Sequence, residues 1–157
     1  AARKGNPWGI RAEEYADQYL ALGTVMQLAT SNDNHPWIST VYYVADEERN
    51  IYWLSLPERR HSKEAKINPE VAVAIAIKQD IPVIGIQASG SVQVVDDIAS
   101  VEKMLALYVA KYKGAGKDFH QRFAEGKNKH QLYCLTPNAL VLFDEAHFKD
   151  QPVQKII

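Results

Sequence analysis

The chain has a single cysteine, Cys134, so it cannot close an intramolecular disulfide, and a reducing, cytoplasmic setting is expected. It has no excess of one charge: 18 Lys and Arg against 19 Asp and Glu leave a net charge of -1. That balance gives no support to bulk binding of nucleic acid or of an anionic membrane. No apolar run reaches the ~18 residues that span a bilayer. The N-terminal stretch Ala-Ala-Arg-Lys-Gly-Asn-Pro-Trp lacks the apolar core of a signal peptide. No Gly-x-Gly-x-x-Gly opens a helix and no Walker loop is present, which argues against a Rossmann cofactor site. Neither an internal repeat nor a low-complexity segment occurs. His120, His130, His147 and Cys134 match no closed zinc spacing, which argues against a metal site.

What is there is an ordinary globular composition, 46% hydrophobic and 24% charged over 157 residues, enough for one domain with its own core. Residues 12–22 read as a helix with Tyr15, Tyr19 and Leu22 on one face, ended by Gly23 in a left-handed conformation. Strand patterns follow at 24–30, 37–45 and 51–56, separated by the polar turns 31–34 and 46–50. Three such runs with short loops predict an antiparallel meander. After Pro57 comes a basic segment with Arg59, Arg60, His61, Ser62, Lys63 and Lys66. Cations placed where a strand gives way to a helix make a candidate phosphate seat, with hydroxyls and free backbone N–H groups at hand.

Residues 71–77 are too uniformly apolar for a half-exposed strand and are expected at the centre of the sheet. A long strand over 83–95 contains Gly85 and Gly90, which predict a bulge or a close backbone approach. Asp97 is placed to cap a helix over 97–112, with Ile98, Val101, Leu105, Tyr108 and Tyr112 as its apolar stripe and Gly114 and Gly116 as its stop. A short helix is predicted over 118–125. Two last strands, 131–135 and 139–143, are expected on either side of Thr136-Pro137-Asn138, before a polar tail. This order of elements predicts a mainly β protein, a small antiparallel barrel with added helices.

Leu28-Ala29-Thr30, the turn at 32–36, Ile51-Tyr52-Trp53, Arg60-His61-Ser62-Lys63, Asn68-Pro69-Glu70-Val71 and the run from Gly85 to Gly90 occur in an order and spacing that resembles the pyridoxamine 5'-phosphate oxidase-like, FMN-binding split-barrel family. The resemblance spans about residues 24–148 and implies one split-barrel domain over residues 1–157. It also implies a homodimer with FMN at the interface and a small-molecule substrate. Carried over position by position, it lays the flavin ring along Ser39, Thr40, Val41 and Tyr42. It puts the phosphate on Ser55, beside Leu54, and on Arg60 and His61, with Lys63 as a further candidate. Gln87 approaches the flavin from the glycine-bearing strand. Two departures are visible. The oxidases carry basic residues at both ends of the ring strand, where this chain has Ser39 and Val44. They also end in a Trp- and Arg-rich substrate segment, where this chain has Asp144-Glu145-Ala146-His147-Phe148.

Each residue also has a plainer reading. The basic run can be a solvated surface, and Trp37, Tyr42, Tyr43 and Trp53 fit a barrel core or a dimer interface better than a stacking platform. The basic residues Lys111, Lys113, Lys117, Arg122, Lys127 and Lys129 form a solvated face or border the cofactor mouth and attract an anion. No acid–base dyad or nucleophile triad stands out, as expected where a flavin carries the electrons. The leading expectation is an FMN-dependent oxidoreductase. Two alternatives are a deazaflavin-dependent reductase and a non-catalytic flavin- or haem-binding protein of stress response, the latter with His61 or His147 as axial candidates.

Overall fold

The computed structural model describes residues 10–113 and 119–157. β1 (Val25–Asn32) and β2 (His35–Tyr42) form a hairpin. Its turn, Asp33 and Asn34, takes φ of 50° and 62°, left-handed values these two residue types tolerate. β3 (Val44–Ala45) and β4 (Ile51–Ser55) form a second hairpin, closed by Asp46, whose carboxylate accepts from the backbone N–H of Glu48 and Asn50 and from the Tyr52 hydroxyl. Then come β5 (Glu70–Lys78), β6 (Ile84–Val95), β7 (Gln131–Asp144) and β8 (Val153–Lys155).

All pairings are antiparallel, in the order β2-β1-β5-β6-β7-β4-β3, with β8 on β7. The two ends of that order, β2 and β3, are separated along the chain by one residue, Tyr43. A flat sheet cannot satisfy that connection, so the sheet curls into a half-barrel. Its inner face carries Met26 and Leu28, Ile51 and Trp53, Val71, Val73 and Ile75, and Leu140 and Leu142, all buried. Among the described residues three further helices follow α1 (Ala12–Leu22): α2 (Arg60–Ile67), α3 (Ile98–Lys111) and α4 (Phe119–Ala124). α1 adds Ala16, Tyr19 and Leu20 to the barrel core, while α3 covers a second cluster of Val44, Met104 and Leu132. No described helix is long and apolar enough to cross a membrane.

Several sequence expectations change. The single strand over 37–45 is broken at Tyr43, and the meander fails because β4 pairs with β7 and β3, not with β2. The strands over 131–135 and 139–143 are one strand. Pro137 does not interrupt it, because it lies where the register with β6 shifts between Ser89 and Gly90, a place that needs no proline N–H. The polar tail supplies β8. β5 is central, between β1 and β6, yet it is not buried on both faces: Val71, Val73 and Ile75 point inward and Ala72, Ala74 and Ala76 outward.

Leu22 is 67% exposed, because the buried face of α1 runs through Ala12, Ala16, Tyr19 and Leu20; Ile98, at the start of α3, is 75% exposed. Asp97 caps α3 as expected, accepting from Ser100 N–H. The stop at Gly114 and Gly116 and the start at Asp118 lie outside the described residues. Gly23 is not left-handed: φ is -62°. It is required because a Cβ there would meet the Tyr43 hydroxyl and, at 2.8 Å, Ile75.

Gly90 is required by close approach as well. A Cβ would meet the carbonyl oxygen of Thr136 and lie 2.9 Å from Pro137 Cα, both backbone atoms that cannot swing aside. Gly90→Ala is therefore expected to cost about 1–3 kcal/mol. A thermal melt should show a Tm lower by roughly 3–10 °C.

Candidate functional site

β4 ends at Ser55 and the chain turns at Pro57 into α2, whose N-cap, Arg59, makes no side-chain capping bond. The first backbone N–H groups of a helix have no intrahelical acceptor. Among the described residues, those of Arg60, His61 and Ser62 have none elsewhere. α2 packs against β1 with a buried face that is largely polar: His61, Ser62, Glu64 and Ala65. Such burial is tolerable only if the polar groups are paired.

Glu64 meets that condition. Its carboxylate accepts from Thr30 Oγ1 at 2.6 Å and from Arg60 Nε at 2.8 Å. These two hydrogen bonds hold its carboxyl below the usual carboxylate range, against the opposing effect of burial. Arg60 is thereby oriented, and its guanidinium carbon lies 4.2 Å from the centroid of the Trp37 ring on β2. Ser55 Oγ and His61 Nε2 share a 2.6 Å hydrogen bond, with both residues buried. Burial, reinforced by the Arg59 charge and only partly offset by Glu64, pushes His61 below its ordinary value. His61 is therefore a neutral imidazole near pH 7, not a cation. Ser62 Oγ is buried with no hydrogen-bond partner.

Ser55, Arg60, His61 and Ser62 thus come together at one end of the barrel, and Lys63 stands exposed on the solvent side of α2. Leu54 points the other way, into the cluster beneath α3. β2 ends the sheet order, so one of its backbone edges has no neighbouring strand. Within β2, Ser39 and Val41 share a face with inward Leu28 and Met26, their partners across the ladder. Thr40 and Gln87 are on the outer face, where Thr40 Oγ1 donates to Gln27 at 2.8 Å and Gln87 is paired across from Ala74. Gln27 and Gln87 border a shallow depression of about 420 Å³ on that outer face. The phosphate candidates and Gln87 accordingly lie in different places on one chain.

Thr30, Trp37 and Glu64 are the supporting residues that sequence reading missed as parts of the seat. One signal was present: Glu64 stands four residues after Arg60, the spacing of an intrahelical ion pair. Thr30 and Trp37 carry no local signal, because the ladder brings them in.

The sequence pattern of the pyridoxamine 5'-phosphate oxidase family matches residues 12–142. No curated protein sequence matches the chain. A conserved hypothetical protein of Mycobacterium tuberculosis superposes with a TM-score of 0.73 at 14% identity, over 92% of this chain and 91% of that one. HutZ, the haem storage protein of Vibrio cholerae, gives 0.65 at 16% identity, over 83% and 94%. An FAD-binding protein of Mesorhizobium loti gives 0.63 at 14%, over 83% and 90%. These likenesses show a shared fold.

The two titrating groups of the seat act on stability with the same sign. A histidine held below its ordinary 6.5 makes the fold lose stability as pH falls below that value. A glutamate held below its ordinary 4.5 stabilises above that value and loses its contribution as pH falls through the folded one. Urea denaturation at a series of pH values should show stability declining in two stages on acidification. Glu64→Gln should remove the later stage and His61→Gln the earlier one.

Proposed function

The chain belongs to the pyridoxamine 5'-phosphate oxidase family, and on that premise we propose that it binds FMN as a homodimer and acts as an oxidoreductase on a small substrate. The observation that carries this reading is the buried, unpartnered hydroxyl of Ser62 at the uncapped start of α2. A phosphate supplies the acceptors that this hydroxyl and the free N–H groups lack. In this reading Arg60 offers the Nη groups that Glu64 leaves unused, Ser55 offers its hydroxyl when His61 Nε2 donates to it, and Lys63 adds an exposed charge. Leu54 contributes only through its backbone beside Ser55. The free edge of β2 at Ser39, Thr40 and Val41 presents main-chain donors and acceptors to the ring. Bound FMN would supply two-electron transfer; the protein orients it and sets its electrostatics.

The outer face supports the dimer. Ile38, Ala29, Ala72, Ser89 and Ala139 form one row across β2, β1, β5, β6 and β7. Small side chains in such a row let a second sheet approach closely, and Ile38, 62% exposed, would be covered. If two copies pair through this face, Gln87, which lies on it, would approach the second copy instead of its own phosphate seat.

Haem binding has one observation in its favour. Asp144 holds His147 Nδ1 at 2.8 Å, an arrangement that orients an imidazole for ligation through Nε2. The absorption spectrum of the purified protein separates the readings: a flavin spectrum with FMN released on denaturation, a Soret band, or a colourless protein that binds deazaflavin.

Arg60→Ala should weaken FMN by about 1.5–3 kcal/mol, the scale of a charge-assisted hydrogen bond, and leave riboflavin binding unchanged in a fluorescence titration. Equal loss of both ligands would assign Arg60 a structural part only. Ala72→Arg, with a charge at the centre of the row, should convert the dimer to monomer in light scattering while the far-ultraviolet spectrum stays constant.

A further inference from the structure

β2 has the sequence HPWISTVY, which contains no Lys, Arg, Asp or Glu. Two cations nevertheless reach its ends from other elements. Arg60 lies over Trp37 near the start. At the other end Lys111, the last residue of α3, holds Nζ 4.2 Å from the ring centroid of Tyr43 and 5.7 Å from that of Tyr112. From Trp37 to Tyr43 is about 20 Å of extended chain.

Among the described residues the titratable groups facing Lys111 are all tyrosines. Tyr43 and Tyr112 lie under Nζ, Tyr42 packs edge-on against Tyr112, and Tyr108 stands beside Tyr112 on α3. Among the described residues no carboxylate pairs with Lys111 and no hydrogen bond engages it. Burial alone pushes the amine down to about 8, while the two ring faces favour the ammonium form. At neutral pH the side chain is a half-buried cation with no counter-ion among the described residues, a placement that lysine rarely adopts unpaired.

We propose that Lys111 supplies the positive charge at the C-terminal end of β2 that meets the pyrimidine edge of bound FMN and favours its reduced state. The inference rests on the FMN reading above. With the phosphate at Arg60 and the ring laid along β2, the far edge of the ring comes to the Tyr43 end. Uptake of two electrons and one proton leaves the ring with one negative charge, located at that edge. The ammonium keeps its proton and acts as a fixed charge, not as an acid. Its effect is present while the amine is protonated and is lost as pH rises through about 8.

The test is the reduction potential of the FMN-loaded protein from pH 6.5 to 9.5, with FMN affinity measured separately on the oxidised form. At pH 7, Lys111→Met should disfavour reduced FMN about tenfold, a fall of about 30 mV for a two-electron couple. Affinity for oxidised FMN should change less than threefold. The difference from the native protein should vanish at the alkaline end. Lys111→Arg keeps a cation over the rings, and its potential should lack the extra alkaline fall of the native protein; this arm stands even if the methionine variant does not fold. Equal potentials for the native and methionine proteins at pH 7, or an arginine variant with the native alkaline profile, overturn the inference and leave FMN binding intact. Failure of the native protein to bind FMN overturns both readings.

Discussion

One residue joins the two ends of the sheet, and much of the architecture answers to it. Tyr43 follows β2 directly and precedes β3, strands that stand at opposite ends of the ladder order. Its backbone N–H donates to Thr24 O and its phenol to Leu20 O at 2.8 Å, so both the start of β1 and the end of α1 are tied to it. Its carbonyl accepts from the Tyr112 hydroxyl, which fixes the end of α3. The phenol fills the space a Cβ at position 23 would need, hence glycine there. Fully buried and raised well above the usual tyrosine range by that burial, it stays a neutral donor at any ordinary pH. Curl of the barrel, attachment of two helices and the seat of Lys111 converge on a single residue.

The other end of the barrel is organised by a charge. An eight-residue helix has little stability of its own, and α2 buries polar side chains where most helices bury apolar ones. What holds it is the Glu64 carboxylate, shared between Thr30 on β1 and Arg60 one turn earlier. Removing either partner leaves a buried charge underpaired, which costs more than the bond itself contributes. The same bond restrains the Arg60 side chain against Trp37, so the cation offered to a ligand is already oriented before anything binds. Side-chain entropy that a free arginine would lose on binding is lost on folding instead.

The sequence was informative wherever the deciding physics was local. Helical periodicity located α1 and α3, and the Asp97 cap, the Asp33-Asn34 turn and the close approach at Gly90 follow from residue chemistry within a few positions. The cluster of Ser55, Arg60, His61 and Ser62 was legible because eight consecutive residues carry it. Ladder partners were not legible. Nothing in residues 51–55 says that they pair with β7, and one buried tyrosine between two strands looks the same as a continuous strand. Pro137 was misread for a related reason: proline signals a break unless its strand bulges there, and the bulge, with Asn138 as the extra residue of β7, shows only in the register against β6. Alternation gives faces within a strand but not between strands, so Gln87 could not be assigned to the outer face. Lys111 was visible only as one of six basic residues at and beyond the end of α3.

Charge accounting at the α2 seat bears on what it can recognise. His61 is neutral, and the one charge of Arg60 is shared with Glu64, so the buried part of the seat is close to electroneutral. An anion held there is held by converging donors and by the helix N-terminus rather than by net charge. Arg59, exposed beside it, adds some positive potential but also keeps His61 from protonating. Such a seat favours a group with several acceptor oxygens over one with a single negative charge, because each unpaired donor has a cost that only another acceptor removes. A phosphate ester meets that requirement more fully than a carboxylate. The dependence on hydrogen bonds also makes the seat less sensitive to screening by salt than a cluster of exposed lysines.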